Sequence, residues 1–252
     1  MKNKQNILLT GSEGLIGSNF IKNCHSEYKN IFALDIKKKI KKNYFRCDIT
    51  SEMEVKNTIN NIIKKDNIDV LINNASNNPA ANKKMKPYKF TDYKLSDWSR
   101  NLSTDLIGSF LMSKYILRHF EKQKHGTIIN ISSIYGLTGI DQSIYSNKLK
   151  EYHGYKPLEY SVAKAGIIGL TKSLASYYRN TNIKILCLIL GGVEMGQSTF
   201  FKKNYNNKTI INRMALLNEY NEYLKFFSSQ KASYSTGTCV VIDGGATNIF
   251  WK

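Results

Sequence analysis

The sequence predicts an α/β protein: a doubly wound parallel sheet in three layers, with helices on both faces. Three observations carry that expectation. Short apolar runs alternate with amphipathic segments of helical length. A glycine-rich turn follows the first run. No Pro/Gly/Ser-rich linker, repeat or low-complexity stretch divides the 252 residues, so one domain is expected over 1–252.

Taken in order, the strand-like runs are 7–10, 31–36, 70–73, 127–132, 183–190 and 239–243. They are apolar along their length, as strands covered on both faces must be. Between them, 15–28, 51–65, 96–120, 158–178 and 215–228 have the length and spacing of helices. The stretches 77–92 and 136–157 fit neither pattern. Both are polar, aromatic and lysine-bearing, which suits loops at the functional end of a sheet, and 191–213 is expected to be a third. Their rings would serve equally as a substrate wall or as loop decoration.

Composition narrows the function classes. The formal charge is +18, from 37 Lys and Arg against 19 Asp and Glu. These lysines are spread along the chain beside many asparagines, and only 37–42 is dense. No nucleic-acid motif accompanies it, so an anionic small molecule is the better expectation than nucleic acid. No apolar run reaches the roughly 18 residues of a membrane span, and the first residues lead directly into a strand-like run. A cytoplasmic protein with no membrane partner is expected. Cys24, Cys47, Cys187 and Cys239 have no Cys-x-x-Cys spacing and no suitable histidine nearby. Buried free thiols are expected, and no metal.

The turn Thr10-Gly11-Ser12-Glu13-Gly14-Leu15-Ile16-Gly17 ends a strand and opens a helix. Glycines there let the backbone turn sharply and approach a pyrophosphate, while helix N-terminal N–H groups point at it. Gly11, Gly14 and Gly17, with Ser12 and Ile16 between them, are therefore candidate cofactor residues. Asp35 ends the second strand 18 positions after Gly17, where a carboxylate can accept hydrogen bonds from an adenosine ribose. Its charge, with that of Glu13, would repel a 2′-phosphate, so NAD is expected ahead of NADP. Lys37 to Lys39 keep NADP possible.

Tyr160 and Lys164 stand four apart in a helical segment, hence on one face. A phenol ionises near pH ~10, and an adjacent cation favours its phenolate. With the glycine turn, Cys47-Asp48-Ile49, Asn73-Asn74-Ala75, Asn130-Ile131-Ser132-Ser133 and Asp243-Gly244-Gly245 in this order, the chain resembles the short-chain dehydrogenase/reductase family over essentially its whole length. The resemblance implies a Rossmann-like fold. It also implies a proton exchanged between Tyr160 and the substrate oxygen, a Tyr160 pKa lowered by Lys164, Lys164 on the nicotinamide ribose, and Ser133 orienting the substrate oxygen. Asp48 and Ile49 would flank the adenine, Asn74 and Ala75 would line the cofactor, and Val193 would contact the carboxamide through its backbone.

Four departures stand out. Leu15 replaces the usual middle glycine. Asp105 replaces a helix asparagine that holds a relay water, which makes Asp105 a candidate catalytic residue. Ser133 and Tyr160 are 27 positions apart, a long loop for the family that carries Tyr145, Lys148, Lys150, Tyr152, His153, Tyr155 and Lys156. Leu190-Gly191-Gly192-Val193 lacks the usual proline. The long loop is most similar to members from bacterial surface-glycan and flagellin-sugar (nonulosonic acid) pathways, which implies a sugar or nucleotide-sugar substrate. A 3-oxoacyl carrier-protein reductase and a non-catalytic dinucleotide-binding homologue are the alternatives. The resemblance further implies a homodimer or homotetramer.

Overall fold

The computed structural model describes residues 4–37, 39–78, 90–145 and 156–248. Seven parallel strands form one sheet: β1 Asn6–Thr10, β2 Asn30–Asp35, β3 Tyr44–Arg46, β4 Val70–Asn73, β5 Gly126–Ser133, β6 Ile183–Leu190 and β7 Cys239–Ile242. Their order across the sheet is β3-β2-β1-β4-β5-β6-β7. Strand order reverses between β1 and β4, and a crevice opens there at the carboxyl ends of the strands.

Alternate side chains of β1 point to opposite faces. Leu8 joins Phe32, Leu34, Leu71 and Ile128 against α2 (Glu52–Ile63) and α4 (Gly108–Gln123). Ile7 and Leu9 join Val70, Ile72, Ile129 and Leu186 against α1 (Leu15–Cys24) and α7 (Glu219–Ser228). Both faces are therefore apolar, which is why the strands read as unbroken apolar runs.

The structure corrects several expected boundaries. β3 escaped the strand reading because its three residues, Tyr44-Phe45-Arg46, are a half-exposed edge with no apolar run. The first helix stops at Cys24 and continues as a 3-10 turn, His25–Glu27. The helix expected over 96–120 is α3 (Leu95–Leu102), a π-helical turn Ser103–Ile107, then α4. The expected loop 191–213 contains helix α6 (Thr199–Asn206), capped by the Ser198 side chain on the Phe201 N–H. The last predicted helix begins later, at Glu219. Of the expected loops 77–92 and 136–157, residues 79–89 and 146–155 lie outside the described residues, including Lys148, Lys150, Tyr152, His153 and Tyr155.

All four cysteines are free, and Cys187 and Cys239 are register neighbours on β6 and β7. Among the described residues no cluster of metal-ligating side chains occurs, and no helix is long and apolar enough to cross a membrane.

Candidate active site

The crevice is a cavity of about 1130 Å³ that runs from the glycine turn to Tyr160. At one end, Gly11 adopts φ +67°, and a Cβ there would lie 2.7 Å from the Ala75 Cα. A Cβ on Gly17 would lie 2.4 Å from the Gly11 carbonyl. The two glycines thus let β1, α1 and the end of β4 close on one another. Asn74 ties the junction, its amide donating to the Thr10 and Gly11 carbonyls at 3.0 and 3.2 Å. The Thr10 hydroxyl accepts from the N–H groups of Asn74 and Ala75, both at 3.1 Å. Gly14 is the N-cap of α1 and no side chain caps that helix. The Ser12 hydroxyl is buried without a hydrogen-bond partner among the described residues. The uncapped N-terminus of α1, with Gly11 and Gly14 on the cavity wall, fits a pyrophosphate.

Asp35 closes this end of the cavity. Its carboxylate accepts from the Glu13 N–H at 2.9 Å and the Lys37 N–H at 3.1 Å, which holds it against the turn. Lys39 reaches the Glu13 carboxylate at 3.0 Å, so that cation of the basic run is matched by an acid, while Lys37 lines the cavity beside Asp35. Asp48 and Ile49 line the same end. Asp48 is held by Thr50, whose N–H and hydroxyl donate to it at 2.9 and 2.7 Å.

At the other end, α5 (Leu158–Tyr177) carries Tyr160 and Lys164, and a polar network fixes it on the sheet. Asn73 of β4 donates to Asn130 of β5 at 2.8 Å, and Asn130 donates to Thr171 of α5 at 2.9 Å. The Ser132 hydroxyl donates to the Lys164 carbonyl at 2.7 Å. Gly136 packs so closely that a Cβ would lie 2.7 Å from the Lys164 carbonyl carbon.

Lys164 is 4% exposed. Its ammonium donates to the Ile131 carbonyl at 3.1 Å and pairs with Asp105 at 3.2 Å. Asp105, 2% exposed, comes from the π-helical turn and also accepts from the Ser76 hydroxyl at 2.7 Å and the Asn77 N–H at 2.8 Å. Burial works against the Lys164 charge, but Asp105 and Tyr160 outweigh it, and the lysine sits above its ordinary pKa. Tyr160 is pushed above its ordinary value by burial; Lys164 and a hydrogen bond with Ser133 oppose that push, and Asp105 adds to it. Lys164 therefore acts in the expected direction, yet the net position of the phenol is the reverse of a lowered pKa: desolvation of a phenolate is the larger effect.

Of the residues singled out from the sequence, Gly11, Gly14, Ile16, Asp35, Asp48, Ile49, Asn74, Ala75, Ser133, Tyr160, Lys164 and Val193 line the one cavity. Ser12, Gly17 and Asp105 stand behind its wall. Val193 bridges to Ala215 through hydrogen bonds made by Gly192 and Glu194, so that bridge leaves its own N–H unused. Sequence reasoning missed Tyr205 of α6, whose hydroxyl accepts from the Gly192 N–H and whose ring stacks on Phe201 at 5.9 Å. It did not single out Tyr135, which bonds the Tyr145 hydroxyl at 2.8 Å and meets the Tyr160 ring edge-on. Lys156 was visible only as one lysine of a long loop. It proves to be buried against the Tyr160 ring.

Residues 25–247 match a family model described as enoyl-(acyl carrier protein) reductase. A 3-oxoacyl-[acyl-carrier-protein] reductase of Aquifex aeolicus is 31% identical over 184 residues, 71% of this chain and 66% of that protein. This chain thus spans about two thirds of that relative. Post-translational flagellin modification protein A of Campylobacter coli is 29% identical over 224 residues, 88% of this chain and 85% of that protein. The crystal structure of a short chain dehydrogenase from Leptospira borgpetersenii with bound NAD+ superposes with a TM-score of 0.81 at 30% identity, covering 97% of this chain and 93% of the other. The chain belongs to the short-chain dehydrogenase/reductase family.

Proposed function

We propose that this short-chain dehydrogenase/reductase interconverts a secondary alcohol and a ketone on a polar carbohydrate, a sugar or nucleotide sugar, with NAD preferred to NADP. The observation that carries the reading is a single cavity joining a glycine cradle to Tyr160, Lys164 and Ser133. When bound along that cavity, a nicotinamide dinucleotide supplies or accepts the hydride. The protein's own work is proton transfer and positioning.

In ketone reduction the Tyr160 hydroxyl donates its proton to the carbonyl oxygen, and a phenol held above its ordinary pKa is in the donating form at neutral pH. Ser133 holds the same oxygen. Lys164 offsets the charge left on the phenolate, and Asp105 holds Lys164 in place at 3.2 Å. Asp35 supports NAD, since a second carboxylate, Glu13, stands beside it and Lys39 is engaged with Glu13. Tyr135, Tyr145, Phe201 and Tyr205 line the substrate end, and rings with hydroxyls suit carbohydrate faces. A relative named for flagellin modification matches the branch of the family that the sequence resembles. We place the enzyme in the cytoplasm as a homodimer or homotetramer, with Ile107, Phe110 and Val162 on the exposed faces of the π-turn, α4 and α5 as contact residues.

A second reading, reduction of a 3-oxoacyl carrier protein, is favoured by the Aquifex relative and by the +18 charge, which would attract an acidic carrier. Calorimetric titration with NADH and NADPH, followed by candidate nucleotide sugars, separates the two. Tight NADH binding and sugar-dependent heat support the proposal, whereas turnover of acetoacetyl thioesters with NADPH replaces it with the second reading. Tyr160→Phe should bind NADH as the wild type does and lose turnover by about 10²- to 10⁴-fold. Undiminished turnover would remove Tyr160 from the chemistry, and failure of both dinucleotides to bind would favour a non-catalytic role.

A further inference from the structure

Two lysines stand at Tyr160, and one of them has no carboxylate partner among the described residues. Lys164 is matched by Asp105 at 3.2 Å. Lys156 is 7% exposed, with its ammonium 4.2 Å from the centre of the Tyr160 ring. Its side-chain hydrogen bond goes to the neutral amide oxygen of Asn78. Among the described residues no carboxylate lies within ion-pair distance of it.

The placement is built. Gln142 grips the backbone of Lys156 from both sides, donating to its carbonyl and accepting from its N–H, each at 2.9 Å. Lys156 and Asn78 both line the cavity. With Asp105 paired to Lys164, Lys156 adds a positive charge, unmatched among the described residues, on the cavity wall against the Tyr160 ring. A buried cation without a counter-charge is costly, and a methionine of similar length would fill the space without that cost. Burial and the neighbouring Lys164 push its ammonium down to about 7, against the pull of Asp105. An arriving anion supplies the missing counter-charge.

We propose that Lys156 and Asn78 form a carboxylate subsite: the molecule that meets Tyr160 carries a carboxylate a few bonds from its reacting carbon. A carboxylate fits better than a phosphate group. One Lys156 donor is taken by Asn78 and the ammonium rests on a ring, which leaves too few donors for a dianion. The inference rests on the oxidoreductase reading and narrows its substrate to an oxo acid or hydroxy acid, sugar acids included.

The test compares acetoacetate with its neutral ethyl ester on the full chain in the presence of NADH, whose binding is measured first. The wild type should bind acetoacetate at least about tenfold more tightly than the ester, the worth of one charge-assisted hydrogen bond. Lys156→Met should erase that preference with NADH affinity intact, and Lys156→Arg should keep most of it. A wild-type preference below about threefold, no binding of either ketone, or a preference that survives Lys156→Met overturns the subsite. If NADH itself does not bind, the oxidoreductase reading fails, an outcome distinct from NADH binding with indifference between the two ketones.

Discussion

Replacing Lys156 by methionine should stabilise the protein at neutral pH. A free lysine holds its proton to 10.5, whereas Lys156 is pushed down to about 7. At about 1.4 kcal/mol per pH unit the difference costs the fold about 5 kcal/mol. Below pH 7 both folded and unfolded chains carry the proton, so the whole cost is present. Between 7 and 10.5 the folded chain releases it while the unfolded chain keeps it, and the cost shrinks as pH rises. Methionine avoids the cost but strips Asn78 of its donor, a loss of about 1–2 kcal/mol. The variant should therefore be about 3 kcal/mol more stable than the wild type at pH 6 and about equal to it by pH 9. Urea unfolding of both proteins across that range measures the difference, in which titrating groups remote from Lys156 cancel. A difference that does not change with pH, or a variant less stable at pH 6, would show that Lys156 is not an uncompensated buried charge.

Three further outcomes follow from the same geometry. Asp105→Asn removes one of the charges that hold the Tyr160 phenol up, so the midpoint of alcohol oxidation should move to lower pH; an unmoved pH–rate midpoint would show that Asp105 is not felt at the phenol. Asp35→Ser should weaken NADH binding about tenfold, the worth of a hydrogen-bonded carboxylate, and narrow the gap to NADPH. Calorimetry giving an unchanged NADH/NADPH ratio would remove Asp35 from cofactor choice. Gly11→Ala forces a side chain onto φ +67° and to within 2.7 Å of the Ala75 Cα, and should cost about 1–3 kcal/mol. An unshifted urea midpoint would mean that the turn relaxes freely.

The parts of the fold legible in the sequence are those encoded by short-range periodicity. Strands buried on both faces leave continuous apolar runs, so six of the seven could be read directly. β3 left no such trace, since Tyr44-Phe45-Arg46 has only one neighbouring strand and is half exposed. The break between α3 and α4 was hidden because a π-helical turn inserts without altering composition, although it is the turn that carries Asp105 towards Lys164. Helix α6, Thr-Phe-Phe-Lys-Lys-Asn-Tyr-Asn, buries a single i, i+4 pair, Phe201 and Tyr205, too short a stripe to stand out in the sequence, and Tyr205 was overlooked with it.

By itself the sequence determined the α/β order, the glycine turn with Asp35 beyond it, and the helical pairing of Tyr160 with Lys164. Each depends on spacings of a few residues or on one strand followed by one helix, distances over which backbone geometry leaves little freedom. Only the tertiary structure decided the electrostatics of the site. Asp105 meets Lys164 across 59 positions of chain, and Lys156 meets Asn78 across 78. Whether a phenol or an ammonium keeps its ordinary pKa depends on what surrounds it and on how much water is excluded, and neither is a function of separation along the chain.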